Sequence, residues 1–542
     1  MEKIKKGILL VASSALLVTA LTGCLKKNKN NPNALDIYVV DAGYKTDWAY
    51  KIKDLFMQQD WVKEKYPSLT VNITKNDDQA YAETLLKTGK TANKFDLMFG
   101  LNLLGPEPTE YDLSDLTDSL YNDVIPGTNV KYRDYIFESF LTSYGYRPKG
   151  DFISDYKFYS APWAGGMDGI VYNVKFFQDY GYEVPRTTNE LVAIVKDFHD
   201  RTYTNADGQF AFIQGSDEGY FDYLFDIFWA QYQSVEGYVN YWNGLDEEHT
   251  LSKNIFKQKG RLESAKVFQQ LLASEEYTSP KSFYQNFITN QRAFLKGTSL
   301  FNVNGDWFVS EMKTIKADII KYDPSYNYSF KMMKTPIISA VADVCETIED
   351  DAALSALVNA IDNESVALAG DGYEVSQDDY DRIKEARGVV HSLGSGHNSV
   401  IPNYASNKDA AVDFLRFMAT ETAQSAYIEA TDGPSLPVTI DVANRYPEVY
   451  ANLDPFHQDR ISYMNSTFFR PSTLVSKFSF PLMKYGGVDA FKLPNGYDFF
   501  KNFNLKDSDS SKKTPQKYYD DTIAYYTDSI WDDVVRRAGL KV

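Results

Sequence analysis

The sequence predicts an α/β protein built as two doubly wound α/β lobes joined by a hinge, with a ligand cleft between them. Strand and helix patterns alternate over the first hundred residues, which favours a parallel, doubly wound sheet. The chain has 542 residues, 44% of them hydrophobic, and this length suggests two or three domains rather than one core. Residues 159–191 then read as strand, glycine-rich bend, strand and helix, so we expect the chain to pass between lobes there.

The N-terminal part gives the alternation element by element. Hydrophobic residues alternate over 35–39 as in a strand, and Asp47 is expected to cap the helix that follows. The predicted buried face of that helix is Trp48, Ile52, Leu55 and Phe56. The pattern then predicts a second strand around 71–73, a second helix over 80–87 and a third, fully buried strand over 95–99. Because ligands of such sheets lie beyond the carboxyl ends of the strands, the loop that holds Tyr44 is expected near a site.

The stretch 159–191 is expected to contact the ligand. An apolar run ends at Pro162, and Trp163 stands beside the turn 164–166, which contains two glycines. Glycines allow the backbone to bend and another group to approach it closely. A strand resumes at 169–172, and a helix is predicted to begin at Thr187, where Thr-x-x-Glu has the spacing of a capping box.

Residues 1–33 read as an export and anchoring signal. Basic residues precede an apolar run over 8–21, which has the length of a signal-peptide core and is too short to span a bilayer. The run ends in Leu-Thr-Gly-Cys24, which resembles a bacterial lipobox. That resemblance implies a lipoprotein signal peptide over 1–23, acylation of Cys24, for example with palmitate, and a polar tether over 24–33. An ordinary secretory cleavage site is the alternative.

Composition and motif searches limit the chemistry. The formal net charge of −18 opposes binding to nucleic acid or to anionic lipid surfaces. The sequence contains no H-E-x-x-H, G-x-S-x-G or C-x-x-C motif, and its five histidines form no metal-binding pattern. His391 and His397 are the closest pair and are interpreted as part of a polar loop lining the cleft. We therefore predict a binding protein without cofactor, metal or catalytic residues, although paired carboxylates for glycoside hydrolysis remain an open alternative.

Aromatic residues are abundant and favour a sugar ligand. Phe, Tyr and Trp make up 15% of the chain, including 40 Tyr and 7 Trp. Pyranose C–H faces pack on aromatic rings, whereas sugar hydroxyls need fixed donors and acceptors. Aromatic and polar residues at predicted turns and strand ends are the ligand-binding candidates: Tyr44, Trp163, Asp168, Tyr220, Asp306, Trp307 and His397.

Several stretches together resemble the extracellular solute-binding proteins of family 1, the maltose-binding-protein-like lipoproteins of sugar ABC transporters. The first, over 162–173, has the family's P-aromatic-x-G and Y-N residues, and the second, over 185–191, has P-R-T-x-x-E-L with Thr188 where the family has Trp. The third, over 293–307, has A-F-x-x-G followed by a strand and G-x-W. A helix over 407–419 and a return strand ending at Val438 also match the family's pattern.

The resemblance implies a periplasmic-binding-protein-like fold. Lobe one would hold 34–161 and 329–430, and lobe two 162–328 and 431–542. Trp307 would be a stacking platform for a sugar ring. The protein would be a monomer anchored by lipid to the extracytoplasmic face of the cell membrane, and it would capture a carbohydrate, in particular an oligosaccharide, for an ABC permease. The alternatives are a lipid-anchored polysaccharide-active enzyme and a binding protein for peptides or another non-sugar solute.

Overall fold

The computed structural model describes most of the chain. The described residues are 31, 33–101, 103, 105–150, 156–202, 208–213, 220–271, 277–363, 375–392, 397–432, 442–464, 472–473, 479–488 and 514–541. The predicted signal peptide, Cys24, most of the tether and the return strand ending at Val438 lie outside them. None of the helices within these ranges is both long and apolar enough to cross a membrane.

The strands form two main sheets. They are β1 Ala34–Val40, β2 Thr70–Asn76, β3 Leu97–Leu101, β4 Gly145–Tyr146, β5 Lys157–Phe158, β6 Ala161–Pro162, β7 Asp168–Asn173, β8 Phe210–Phe212, β9 Ser299–Gly305, β10 Phe330–Met333, β11 Val389–Val390, β12 Asn398–Val400 and β13 Ser472–Thr473. The first sheet has the order β2-β1-β3-β12-β6 and the second the order β10-β7-β9-β8. Two two-stranded sheets, β11-β13 and β4-β5, complete the set within the described ranges.

The helices flank these sheets. They are Asp47–Gln58, Asp60–Lys65, Gln79–Thr88, Pro108–Tyr111, Tyr132–Tyr135, Glu138–Tyr144, Val174–Tyr180, Thr188–Thr202, Tyr220–Gln233, Val235–Asn243, Lys259–Leu271, Phe287–Leu295, Phe308–Tyr322, Asp351–Asp362, Gln377–Gly388, Lys408–Met418, Glu421–Thr431, Val442–Arg445, Pro447–Asn452, Pro455–Met464, Pro515–Tyr525 and Asp528–Ala538. Short 3₁₀ helices cover Gly89–Thr91, Lys253–Lys257, Pro280–Phe283, Pro324–Tyr326 and Ser339–Val344, and π-helical turns cover Thr117–Tyr121 and Leu482–Gly486.

The first sheet is covered on both faces, as a doubly wound sheet requires. Successive side chains of a strand point to opposite faces. Leu35, Ile37 and Val39 accordingly join one hydrophobic core, whereas Tyr38 and Val40 join the core on the opposite face. β1 runs parallel to β2 and β3, which confirms the predicted strand–helix alternation. The helix predicted to be capped by Asp47 instead begins at that residue, and Thr46 occupies the cap position.

The second sheet is mixed, and it packs against the largest core of the described chain. β7 is antiparallel to both β9 and β10, and β8 is parallel to β9. The helix Thr188–Thr202 begins one residue after Thr187, whose Oγ1 accepts from the Glu190 N–H at 3.3 Å. The carboxylate of Glu190 accepts from the N–H of Arg186 at 2.6 Å, one residue before the position that a capping box would use.

The lobe boundaries expected from the resemblance are corrected. The first lies after 164 and not at 162, because Pro162 belongs to β6 of the first sheet and Trp163 and Ala164 pack in the first-lobe core. Residues 330–333 form the edge strand beside β7, and hydrophobic residues over 341–361 and 383–389 lie in the same core as that sheet, so these residues belong to the second lobe and not to the first.

The chain returns to the first sheet at β12. Leu453 then packs in the first-lobe core. The helix Pro455–Met464 contacts both lobes, because Ile461 lies in the first-lobe core whereas Phe456 packs with Phe330 of β10. Hydrophobic residues over 480–488 and 518–540 pack in the second-lobe core, so the last crossing lies at this helix and not at 431.

Candidate ligand site between the lobes

Five of the predicted site residues come together where the two sheets meet. We call Tyr44, Trp163, Asp306, Trp307 and His397 the cleft cluster. The ring centroid of Tyr44 lies 5.3 Å from that of His397, 6.0 Å from that of Trp163 and 6.4 Å from that of Trp307. The His397 ring is 5.7 Å from Trp307 and 5.9 Å from Trp163. The four rings therefore surround one point between the lobes.

Each member of the cleft cluster stands at or near the end of a strand, as the prediction required. Tyr44 is in the loop that follows β1, Trp163 directly follows β6, and His397 directly precedes β12. Asp306 and Trp307 come directly after β9 of the second sheet. The Trp163 N–H donates to the His397 carbonyl at 2.9 Å. The segment that leaves the first sheet after β6 is therefore bonded to the segment that returns to that sheet at β12.

Two glycines make room for the cluster. A Cβ atom at Gly166 would lie against the Tyr44 hydroxyl and 2.9 Å from Asp306 Oδ1. At Gly305 it would overlap the six-membered ring of Trp307, which folds back over that residue. Neither glycine has a positive φ. The requirement at both positions is therefore close approach of a side chain, not backbone conformation.

A buried hydrogen-bond network crosses the lobes through Asp306. The Tyr44 hydroxyl of the first lobe donates to Asp306 Oδ1, and Arg460 donates from Nε to Asp306 Oδ2 at 2.6 Å. Arg460 Nη2 also donates to the Gly165 carbonyl at 2.9 Å. Burial, followed by the charge of Asp306, raises the pKa of Tyr44 well above its usual value, so the phenol remains a hydrogen-bond donor.

Several buried polar atoms near Asp306 have no partner. These are Nδ1 of His397, both ring nitrogens of His457 and the hydroxyl of Tyr427, none of which is hydrogen-bonded to another atom of the described residues. Burial lowers the pKa of His397 and of His457 from 6.5 to about 4, and the charge of Asp306 only partly offsets it, so both imidazoles are neutral at neutral pH.

Unpartnered polar atoms of this kind are rare in folded proteins. Each costs about 1–3 kcal/mol when it is buried without a hydrogen bond. The charge of Asp306 acts to raise the pKa of Tyr427 as well as those of the two histidines, so all three groups lie within the electrostatic range of this carboxylate. Neutral donors and acceptors arranged in this way are suited to a ligand that carries hydroxyl groups.

Asp168 and Tyr220 belong to a neighbouring group on the second lobe. Asp168 Oδ2 lies 2.8 Å from Nδ1 of His391, and the ring of Tyr223 stacks on His391 with centroids 5.0 Å apart. Tyr220 follows, with its centroid 5.3 Å from that of Tyr223. Asp168 is the register partner of Gly305 on β9, so this group lies beside the cleft cluster at the same end of the sheet.

The sequence did not indicate all the residues of these two groups. Arg460, Tyr427 and His457 were missed because each lies within a helix or at its start, with no motif around it. Asp226 was also missed, and its Oδ2 lies 3.8 Å from Nε2 of His391. His391 was noted only as part of a polar loop with His397. The described residues contain no group of three or more metal-ligating side chains that could hold an ion.

The seven predicted site residues are all buried. Their exposed fractions are 2% for Tyr44, 3% for Trp163, 1% for Asp168, 4% for Tyr220, 0% for Asp306, 7% for Trp307 and 8% for His397. The lobes are therefore in contact over the cleft cluster. A molecule from solvent could contact these side chains only if the lobes separated, as in hinge opening and closure.

Comparison with known proteins gives a family and a fold. The family model described as bacterial extracellular solute-binding protein matches residues 42–425, which is more than half of the chain. Curated protein sequences give no match.

Solved structures resemble the chain in fold at low identity. The apo form of RafE from Streptococcus pneumoniae has a TM-score of 0.52 and 14% identity, covering 92% of this chain and 99% of that one. A structure from work on xylan utilization by Caldanaerobius polysaccharolyticus has a TM-score of 0.53 and 14% identity, covering 91% and 100%. An ABC substrate-binding protein from Listeria monocytogenes in complex with cycloalternan has a TM-score of 0.51 and 13% identity, covering 94% and 99%. These likenesses establish the fold and leave the ligand open.

Proposed function

Because the chain belongs to the family of bacterial extracellular solute-binding proteins, we propose that it is the substrate-binding component of a carbohydrate ABC importer, with an oligosaccharide as ligand. The observation that carries this proposal is the cleft cluster itself, in which aromatic rings stand next to neutral, unpartnered polar atoms between two lobes. Such a site matches the C–H faces and hydroxyls of a sugar. The Listeria protein of similar fold, which is described in complex with cycloalternan, adds support.

The proposed mechanism is capture by lobe closure. Trp307 stacks on a sugar ring, and Tyr44, Asp306 and His397 contact its hydroxyls, with Trp163 behind them. The Tyr44–Asp306 hydrogen bond joins the lobes only in the closed arrangement, so a ligand that contacts both lobes favours closure. Asp168 and Tyr220 extend the site along the second lobe. The closed monomer is then what a membrane permease recognises, and no covalent chemistry takes place.

A ligand screen tests the proposal. The protein without residues 1–24 is incubated with mono- and oligosaccharides and, for comparison, with peptides. A ligand that binds only the native state stabilises it by RT ln(1 + [L]/Kd), so the cognate sugar is expected to raise the melting temperature, and titration calorimetry then measures Kd.

Product analysis of the same samples separates a binding protein from an enzyme. The best ligand is expected to remain chemically intact after prolonged incubation, as chromatography would show. Release of shorter sugars, abolished by replacing a pair of carboxylates, would establish the polysaccharide-active alternative. Stabilisation by peptides alone would establish the non-sugar alternative.

We also propose that Cys24 carries the lipid that holds the protein on the extracytoplasmic face of the membrane. The Cys24→Ser variant is expected to move from the membrane fraction to the soluble fraction, because stable anchoring depends on two acyl chains and the acidic chain has no other membrane affinity. Fractionation of cells without the permease measures this. Cys345→Ser is the matched control, since that free thiol is half-buried inside the fold. Equal membrane retention of Cys24→Ser and Cys345→Ser would exclude the anchor.

A further inference from the structure

A pocket of about 420 Å³, separate from the cleft cluster, lies between the second lobe and the helix Pro455–Met464. None of its lining residues belongs to the cleft cluster. Its charged and amide side chains are those of Arg186, Lys334, Asn359, Asp362 and Arg387. Ser462 and Tyr463 of the helix line one side. The volume is within the range of small-molecule sites and exceeds what a bare inorganic ion needs.

The pocket carries an excess of positive charge. Arg387 holds Asp362 with two bonds, from Nε to Oδ1 at 3.1 Å and from Nη2 to Oδ2 at 2.6 Å. Lys334 Nζ bonds the same carboxylate at 3.0 Å. Burial acts to raise the pKa of Asp362, but Arg387 and Lys334 outweigh it and lower the pKa, so the carboxylate stays charged. Three cations, counting Arg186, therefore face one anion, on a chain whose formal net charge is −18.

Arg186 is held in place by its backbone while its side chain is available. Its N–H donates to Glu190 Oε2 at 2.6 Å, and its carbonyl accepts from the Ile337 N–H at 2.8 Å. Among the residues that the structure describes, no hydrogen bond or ion pair involves the guanidinium. Asn359 accepts from Asn363 through Oδ1 at 3.0 Å, which directs its own NH₂ group to other acceptors.

We propose that this pocket is a second ligand site, which binds a small polar molecule bearing a phosphate or carboxylate group. The planar guanidinium of Arg186 matches the two oxygens of such a group, and Lys334 adds a point charge beside it. Arg387 is fixed by Asp362 and by the Thr335 carbonyl, at 2.8 Å from its Nη1, so it forms a rigid cationic wall. Asn359 contributes a neutral donor, and the remaining volume takes the body of the molecule.

Titration calorimetry on the full chain tests the site, with inorganic phosphate and glucuronate as probes. At least one is expected to bind with a Kd of about 1 mM or lower, and the affinity is expected to fall as salt concentration rises. Binding of phosphate alone assigns a phosphate-bearing ligand, and binding of glucuronate alone assigns a carboxylate. Arg186→Gln is expected to weaken this binding about tenfold, while the melting temperature without anion stays within about 2 °C of the parent because the side chain has no hydrogen-bond partner among the described residues to lose.

Arg292→Gln is the matched control. Arg292 is an exposed arginine on the helix Phe287–Leu295 and does not line the pocket, so its replacement removes the same charge and should leave the anion affinity unchanged. Three results would each overturn the proposal: no binding of either probe, unchanged affinity in Arg186→Gln, or an equal loss of affinity in both variants. The last would mean that the net charge of the chain, and not this pocket, sets the affinity.

Discussion

Replacement of Arg460 by alanine is expected to lower the free energy of unfolding by about 3–5 kcal/mol, because it leaves the buried carboxylate of Asp306 without its cation. Arg460 Nε and Asp306 Oδ2 are 2.6 Å apart, and the two side chains are 3% and 0% exposed. Within the described ranges, the other side chain that donates to the Asp306 carboxylate is Tyr44, whose hydroxyl carries no charge. Urea denaturation of the ligand-free protein measures the loss.

Two further variants show whether the effect belongs to the ion pair. Arg292→Ala removes an exposed arginine and should change the free energy of unfolding by no more than about 0.5 kcal/mol. The double variant Asp306→Asn, Arg460→Met removes both charges, so it should be more stable than Arg460→Ala alone. An Arg460→Ala variant as stable as Arg292→Ala would mean that the pair contributes nothing to the closed arrangement.

Local patterns in the sequence were sufficient for the individual elements and for most of the cleft cluster. The alternation over 35–39 identifies β1. Ligands of α/β folds lie beyond the ends of strands, so Tyr44, Asp306 and Trp307, which follow predicted strands, could be named together as site candidates. The glycines of the bend over 164–166 predicted the close approach of another group, which the structure has at Gly166. Both signals are contained within a few consecutive residues.

The sequence did not show which residues distant along the chain pair with one another. The run Phe330–Met333 reads as a short apolar strand, and nothing within it specifies that it pairs with β7 and so belongs to the second lobe. Arg460 was missed for the same reason, since 154 positions separate it from Asp306. The helices Tyr132–Tyr135 and Glu138–Tyr144 were not predicted either, because they are too short to show a helical period.

Trp163 and Trp307 were predicted for the same role, and the structure places their rings differently. Trp163 follows β6 of the first sheet and stacks on Trp48 at 5.0 Å within the core of the same lobe. Trp307 follows β9 of the second sheet, yet its ring packs against Tyr44 and His397 of the first lobe. Burial of Trp163 is therefore a property of one lobe, whereas burial of Trp307 depends on closure of the two.

Replacement of Trp307 by alanine is accordingly expected to weaken sugar binding about thirtyfold, equivalent to about 2 kcal/mol, because a buried aromatic anchor is lost from the closed site. The ligand-free protein should be less affected, since the ring of Trp307 reaches the first-lobe core only from across the lobe boundary. Titration calorimetry with the best ligand from the screen measures the affinity, and urea denaturation measures the stability of the same preparation.

Trp163→Ala provides the contrast within the same cluster. Loss of its ring from the first-lobe core should cost about 3–5 kcal/mol of unfolding free energy, because Trp48 and Phe99 would then face a cavity. Trp307→Ala should therefore lose mainly sugar affinity, whereas Trp163→Ala should lose mainly free energy of unfolding. If Trp307→Ala loses as much stability as Trp163→Ala while its folded fraction binds sugar with unchanged affinity, the ring of Trp307 is a core element that joins the lobes, and the sugar lies elsewhere in the cleft.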